Sequence, residues 1–329
     1  MPHYDVIVPI YRVEPDLVEE CLASVRNQQH QDWTCWIVDG TPYEWELADD
    51  LSRIINAFVE NDDRFRAVRQ DFDLYPGVSG ARNQGIALGD APWIAFLDGD
   101  DFWFPENLSW VSEDLLESHP DTVVAWTASK VEIELTSAKG WTRRSEHIAS
   151  HFDHSRLRQD LGHGYWFIMG HPPMTSQVVV RRDRFEAVDG FDQTLQMAED
   201  TECWIRMLGS PLSDAPTFRF HQIDAVGGFH RLGDNQTING GLQTSASFDA
   251  TDPDAPDRDS AFDRFSTQVR SVIGSQHPRP PTETPDGIDE DYWSWLRTAS
   301  GGIGRSRFLM GNDPHVDQAS FDDDRQIWV

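Results

Sequence analysis

Lysine is almost missing from this chain of 329 residues: only Lys130 and Lys139 carry it, and the other basic residues are arginines. Basic side chains total 27 against 56 acidic ones, a formal net charge of −29. So negative a field repels free nucleic acid and anionic membrane surfaces at ordinary salt, which argues against both as partners. Cysteine is scarce too. The three present, Cys21, Cys35 and Cys203, are odd in number and show no metal-type spacing. They fit buried thiols in a reducing compartment better than a disulfide framework. No apolar run approaches the ~20 residues a membrane helix needs. No basic segment followed by an apolar stretch opens the chain, so no secretory leader is expected. A cytoplasmic protein is the expectation, with any membrane contact peripheral.

An acidic surface with almost no lysine resembles that of proteins from extreme halophiles. Such a surface stays hydrated in molar salt, where the screening length falls to about 3 Å. An ordinary acidic protein is the plainer alternative.

What the chain does have is a core. Hydrophobic residues make up 39% and aromatics 11%, and the length suits a large α/β domain with an appendage. Strand-like and helix-like patterns alternate through the first hundred residues. Asp5–Ile10 (DVIVPI) is a buried strand, and Asp16–Gln28 carries a helical stripe. Thr34–Val38 is a second strand ending on Asp39-Gly40, and Leu47–Val59 is again helical. Phe65–Val68 is a third strand, Gly80–Leu88 a helix, and Trp93–Leu97 a fourth strand that ends on Asp98. This alternation predicts a central, mostly parallel sheet flanked by helices, in which ligands bind beyond the carboxyl ends of the strands. Further on, Val123–Ala125, Val131–Leu135 and Gln177–Val180 read as strands and Glu199–Leu208 as a helix. The expected domain spans 1–240, with a nucleotide-binding half (1–106) and an acceptor-side half (107–240). Residues 241–329 read as an acidic appendage. In it Ser245–Ser260 and Gln276–Asp291 are flexible, and Phe262–Ile273 and Tyr292–Leu296 are short amphipathic pieces.

Three strand ends carry polar groups: Pro9 to Tyr11, Asp39, and Asp98-Gly99-Asp100-Asp101. Three carboxylates within four residues repel one another unless a cation joins them. Oxygen ligands of this kind suit Mg²⁺ or Mn²⁺, with a substrate diphosphate completing the shell. In so acidic a chain a surface turn is the bland reading, but the cluster follows directly on an apolar strand.

At this point the sequence resembles a known family. Asp5–Tyr11, Ser24–Gln29, Trp36–Thr41, Gly80–Gly85 and Ala95–Asp101 look like successive blocks of family 2 glycosyltransferases. Gly190–Asp192 with Ala198–Arg206, and then His230–Thr237, resemble the family's later blocks. The resemblance runs from about residue 4 to 240. It implies a Rossmann-like fold of the type called GT-A and an inverting transfer from a nucleotide-sugar donor, UDP- or GDP-linked, to a glycan or lipid-linked acceptor. It implies that Pro9, Tyr11 and Glu14 line the nucleotide and that Asp39 contacts the base. Arg82 helps hold the nucleotide, and Asp98, with Gly99, faces the nucleoside or sugar. Asp100 ligates Mn²⁺ or Mg²⁺, with His230 as a second candidate ligand. Asp200 is the general base, beside Glu199. The chemistry asks for the same division: a cation for the departing diphosphate, and a carboxylate from another segment for the attacking hydroxyl.

Three positions depart from the family's pattern. Gly40 follows Asp39 where a second acid or Asn is frequent, Arg12 stands where Asn is frequent, and His230 precedes Arg231 rather than following it. Other readings stay open. Arg82 could pair with a carboxylate instead of a nucleotide, and Tyr11 could be core instead of a stacking surface. His151, His154, His163 and His171 carry no ligand spacing, and Trp166 could stack on a sugar or serve the core. The chain lacks the Gln-x-x-Arg-Trp motif of processive synthases, so a non-processive enzyme is expected. Two further alternatives are a nucleotidyltransferase of related fold and an inactive glycan-binding member.

Overall fold

The computed structural model describes residues 2–117, 122–136, 142–149, 173–195, 199–208, 219–232, 321–322 and 327–328. The readings placed on Ser245–Ser260, Phe262–Ile273, Gln276–Asp291 and Tyr292–Leu296, and on His151, His154, His163, Trp166 and His171, lie outside these residues.

Strands β1 (Tyr4–Ile10), β2 (Trp33–Asp39), β3 (Phe65–Arg69) and β4 (Trp93–Phe96) lie in the order β3-β2-β1-β4 and pair in parallel. β1 is buried along its whole length, which is why it reads as an apolar run from Val6 to Ile10. Its alternate residues Tyr4, Val6, Val8 and Ile10 join a core with the stripes of α1 (Pro15–Arg26) and α2 (Ala48–Asn61). Those stripes are Val18, Cys21, Leu22 and Val25 in the first helix and Leu51, Ile55 and Phe58 in the second. Pro15 at the first position, Asp16 in the first turn and Arg26 in the last suit the helix dipole of α1. Ile7 points to the opposite face, where α3 (Gly77–Leu88) packs. A Cβ on Gly85 would come within 2.9 Å of Ile7 and 3.2 Å of Val38. Glycine there lets α3 lie tight on β1 and β2, and this depth sets where Arg82, one turn earlier, reaches. The three cysteines are free and buried, and burial pushes each thiol well above its ordinary pKa.

Beyond β4 the sheet changes character. The order continues β4-β8-β6-β9-β5, with β7 beside β6. These strands are β5 (Phe102–Trp103), β6 (Thr122–Thr136), β7 (Thr142–Ala149), β8 (Val178–Arg181) and β9 (Arg219–Leu232). β8 runs antiparallel to both β4 and β6, and β5 to β9, while β6 and β9 are parallel. The sheet is therefore mixed, and parallel pairing dominates only in its first half. A strand of three valines carries no mark of its direction, which is set by its connections. Helices α4 (Asn107–Glu117), α5 (Arg182–Ala187) and α6 (Glu199–Leu208) complete this half. The two strands expected at Val123–Ala125 and Val131–Leu135 are one continuous strand. Its middle is polar yet buried: Thr127 donates to Asn107 at 2.8 Å and Ser129 donates to Gln177. Satisfied polar groups can sit in a core strand and break the apolar pattern used to find it.

One buried ion pair ties the halves together at the end of the sheet where β1 and β4 begin. Asp5 accepts from Arg182 at 2.6 Å, from the Ala91 amide at 2.8 Å and from the Trp36 indole at 2.9 Å. Arg182 also donates to the carbonyls of Ala91 and Ile86. Near the C-terminus, Phe321–Asp322 and Ile327–Trp328 (β10 and β11) pair antiparallel. Among the described residues, no helix is long and apolar enough to cross a membrane.

Candidate active site

The parallel register brings the carboxyl ends of β1, β2 and β4 level. Ile10 pairs with Asp39, and the amide of Gly40 donates to the Ile10 carbonyl at 2.8 Å. Gly99, two residues past the Leu97 that follows β4, lies against β1: a Cβ there would stand 3.1 Å from the Pro9 carbonyl oxygen. Pro9 is buried at this junction. Three polar strand ends thus meet at one edge, as the sequence pattern predicted.

Asp39 is already engaged. One carboxylate oxygen accepts from the Thr41 amide at 2.9 Å, and the other accepts from Arg69. Arg69 also donates to the Thr41 carbonyl, and its guanidinium lies 4.5 Å from the centre of the Tyr43 ring. Arg12 has φ of 53° and donates its amide to the Thr41 hydroxyl at 3.0 Å. That left-handed backbone suits Asn far better than Arg. The Arg12 guanidinium sits 5.3 Å from the Tyr11 ring, and Tyr11 is 53% exposed, so it is not core. Glu14 is exposed, and its carbonyl accepts the amides of Leu17 and Val18 at the start of α1.

Arg82 is buried and bridges two segments. One nitrogen donates to Asp98 at 2.7 Å and the other to Glu199 at 2.7 Å. Burial disfavours its charge, but Asp98 and Glu199 outweigh burial and hold its pKa above the ordinary value. Glu199 is pushed up by burial and by neighbouring Asp200, against the pull of Arg82. Arg82 thus pairs with carboxylates from two segments.

Asp101, fully buried, organises the other side of the loop. It accepts from the His230 ring at Nδ1 (2.6 Å), from the Arg231 amide (2.8 Å) and from the Ser176 hydroxyl. Burial disfavours the charged form of His230, but Asp101, with Asp100 and Asp98 behind it, overcomes this and raises its pKa to about 9. The other ring nitrogen, Nε2, is buried without a hydrogen-bond partner among the described residues. A half-buried Asp100 follows Gly99, and its carbonyl accepts from Arg231. A histidine fixed by a carboxylate at one nitrogen and open at the other is the usual form of a metal-ligating imidazole. His230 thus has the form of a metal ligand, and Asp100, one of the carboxylates acting on it, is the candidate partner ligand. Among the described residues no three His, Cys, Asp or Glu side chains form a cage for a metal, so the remaining ligands would be donor phosphate oxygens and water.

Asp200 stands in the first turn of α6. One carboxylate oxygen accepts from the Thr175 hydroxyl at 2.6 Å and the other from the Thr201 amide at 2.5 Å. Thr175 and Ser176 belong to a short 3₁₀ turn that leads into β8. Because β8 runs antiparallel to β4, its beginning lies beside the end of β4, and the Asp98 amide donates to the Ser176 hydroxyl at 3.1 Å. Sequence reasoning missed Arg69, Thr175 and Ser176. None stands in a recognisable block, and only the sheet topology brings them to the site.

The chain belongs to glycosyl transferase family 2, whose family model matches residues 5–183, more than half its length. Among curated proteins it is 33% identical over 124 residues to an uncharacterised glycosyltransferase, EpsJ, of Bacillus subtilis, covering 37% of this chain and 33% of that one. The chain spans only a fifth to a third of the length of the first curated relatives it matches. Among solved structures, S. aureus TarS 1–349 in complex with UDP-GlcNAc aligns at a TM-score of 0.54 and 13% identity, over 92% of this chain and 72% of that one. A mannosyltransferase from Pyrobaculum calidifontis, in complex with GDP-Man and Mn²⁺, aligns at 0.54 and 14%, over 92% and 74%. At such identities the likeness is one of fold, and it is the Rossmann-like glycosyltransferase fold the sequence led us to expect.

Proposed function

We propose that the chain is an inverting, non-processive, metal-dependent glycosyltransferase that moves a sugar from a nucleotide-sugar donor to a hydroxyl of a glycan or lipid-linked acceptor. The observation that carries this reading is one arrangement: the Asp98–Asp101 loop and His230 on one side, Asp200 on a separate helix, and Arg82 between them. Pro9, Tyr11, Glu14, Asp39, Arg82, Asp98 and Gly99 line the donor's nucleotide and sugar. Asp200 takes the proton of the attacking hydroxyl, and a carboxylate within reach can do so. Glu199 holds Arg82 and steadies that helix. Asp100 and His230 hold the divalent ion, which when bound neutralises charge on the departing diphosphate. A mixed oxygen and imidazole donor set favours Mn²⁺ over Mg²⁺. The UDP and GDP sugars held by the two structural neighbours support a UDP- or GDP-linked donor here. The site of action is the cytoplasm, with peripheral membrane contact if the acceptor is lipid-linked.

The experiment is release of nucleoside diphosphate from a panel of UDP- and GDP-sugars. EDTA is expected to abolish turnover and Mn²⁺ to restore it; full activity in chelator would reject the metal role.

The net charge of −29 and the two lysines support a protein adapted to high salt. Below roughly molar KCl its carboxylates repel with little screening, and folding should be lost. Thermal melts across a KCl series test this, and a melting temperature that does not change with salt would contradict it.

A further inference from the structure

The turn Thr175–Gln177 touches both groups of carboxylates and belongs to neither. We propose that Thr175 is a positioning residue for the transfer, acting through Asp200. The inference rests on the reading of Asp200 as proton acceptor.

Thr175 is 7% exposed and its hydroxyl donates to Asp200 Oδ2 at 2.6 Å. Asp200 is the second residue of α6, and its remaining carboxylate contacts are local, to the amide and hydroxyl of Thr201. Those local bonds hold one oxygen close to the helix backbone. Among the described residues, Thr175 is the hydrogen-bond donor that reaches Asp200 from another element, so its hydroxyl fixes the rotation of the carboxylate. The next residue, Ser176, accepts from the Asp98 amide at 3.1 Å and donates to Asp101. The indole of Trp103 donates to the Ser176 carbonyl at 2.5 Å, and Gln177 donates its amide to Met174 at 2.9 Å. The turn is thus clamped to the donor-side loop at one residue and to the proton acceptor at its neighbour. Adjacent residues of a rigid turn keep these two groups at a fixed spacing. A displacement of about 1 Å in such an arrangement lowers rates by roughly a hundredfold.

The hydroxyl is the operative group, so the variants are chosen around it. Thr175→Val keeps the shape and removes the donor; Thr175→Ser keeps the donor. Turnover is read as nucleoside diphosphate release from whichever UDP- or GDP-sugar the unmodified protein consumes with Mn²⁺, and UDP and GDP binding is measured by calorimetry. Thr175→Val should lower kcat by roughly tenfold to a hundredfold, with UDP or GDP affinity within about twofold, because Thr175 is not among the groups read as holding the donor. Thr175→Ser should recover kcat to within about threefold of the unmodified protein. If Thr175→Val melts early, Thr175→Ala against Thr175→Ser gives the same contrast.

A Thr175→Val protein with unmodified kcat overturns the proposal, as does a Thr175→Ser protein no better than Thr175→Val. Asp200→Asn, run alongside, separates the two ideas. If Asp200→Asn is inactive while Thr175→Val is unimpaired, only the positioning role fails. If Asp200→Asn keeps full turnover, the proton acceptor has been misassigned and the positioning role falls with it.

Discussion

Asp200→Asn should lower transfer by roughly 10²- to 10⁴-fold, the usual contribution of a positioned general base. Asn keeps the size of the side chain, and its carbonyl oxygen can still accept from Thr175, so the fold and UDP or GDP binding should hold. The loss should appear in kcat and leave the nucleotide's dissociation constant unchanged. Glu199 is the competing assignment, because it is adjacent in sequence and equally acidic. The geometry separates them. Glu199 is buried against Arg82 at 2.7 Å, with 12% of its side chain exposed. Among the described residues, Asp200 accepts hydrogen bonds from two hydroxyls and an amide, which leaves lone pairs for a substrate proton. Kinetics of Asp200→Asn and Glu199→Gln side by side check the choice. Wild-type transfer by Asp200→Asn, with a large loss in Glu199→Gln, would reverse it.

Arg82→Met should destabilise the fold by about 3–5 kcal/mol, as removal of one member of a buried ion pair commonly does. The lower end is expected, because the Asp98 side chain is 26% exposed and can recover some hydration. The substitution leaves Asp98 and Glu199 facing each other without a cation between them. Their repulsion should open the gap between the donor-side loop and helix α6, so that activity falls along with stability. Arg82→Lys should rescue little, since one ammonium on a flexible stem does not reproduce a guanidinium that reaches two carboxylates at once. Urea denaturation of the three proteins measures this, with Glu199→Gln added to Arg82→Met to relieve part of the repulsion. A loss below about 1 kcal/mol, the range of exposed ion pairs, would show that the bridge contributes nothing to the site.

The donor half of the fold was legible because burial on both faces writes itself into sequence. β1, β2 and β4 are largely apolar runs; β2 ends on Asp39, β4 is followed by Asp98, and β1 leads through Pro9 and Ile10 to Tyr11. Helix α6 was legible as Glu199–Leu208, with its acidic residues in the first turn. The acceptor-side half was less so. β6 was split in the reading because Thr127 and Ser129, buried and hydrogen-bonded, break the apolar pattern. β8 gave no hint of its direction, and that direction is what places Thr175 and Ser176 beside Asp98 and Asp200. Arg82 shows the same limit from another side. Its place in the Gly80–Gly85 block marked it as functional, but its partners are 16 and 117 residues away in sequence. Which carboxylates it meets follows from the packing of α3 on the sheet, and only coordinates show that.

The central claim is that the Asp98–Asp101 loop binds a nucleotide sugar together with a divalent ion. Its most direct test is a thermal melt of the protein in high salt with UDP- and GDP-sugars, with and without Mn²⁺, repeated for Asp100→Asn. Ligand at about a hundred times its dissociation constant stabilises by about 2.7 kcal/mol, a shift of several degrees. The expected result is such a shift for at least one nucleotide sugar, seen only when Mn²⁺ is present and lost in Asp100→Asn. An equal shift without metal, an equal shift in Asp100→Asn, or no shift with any nucleotide sugar would contradict it.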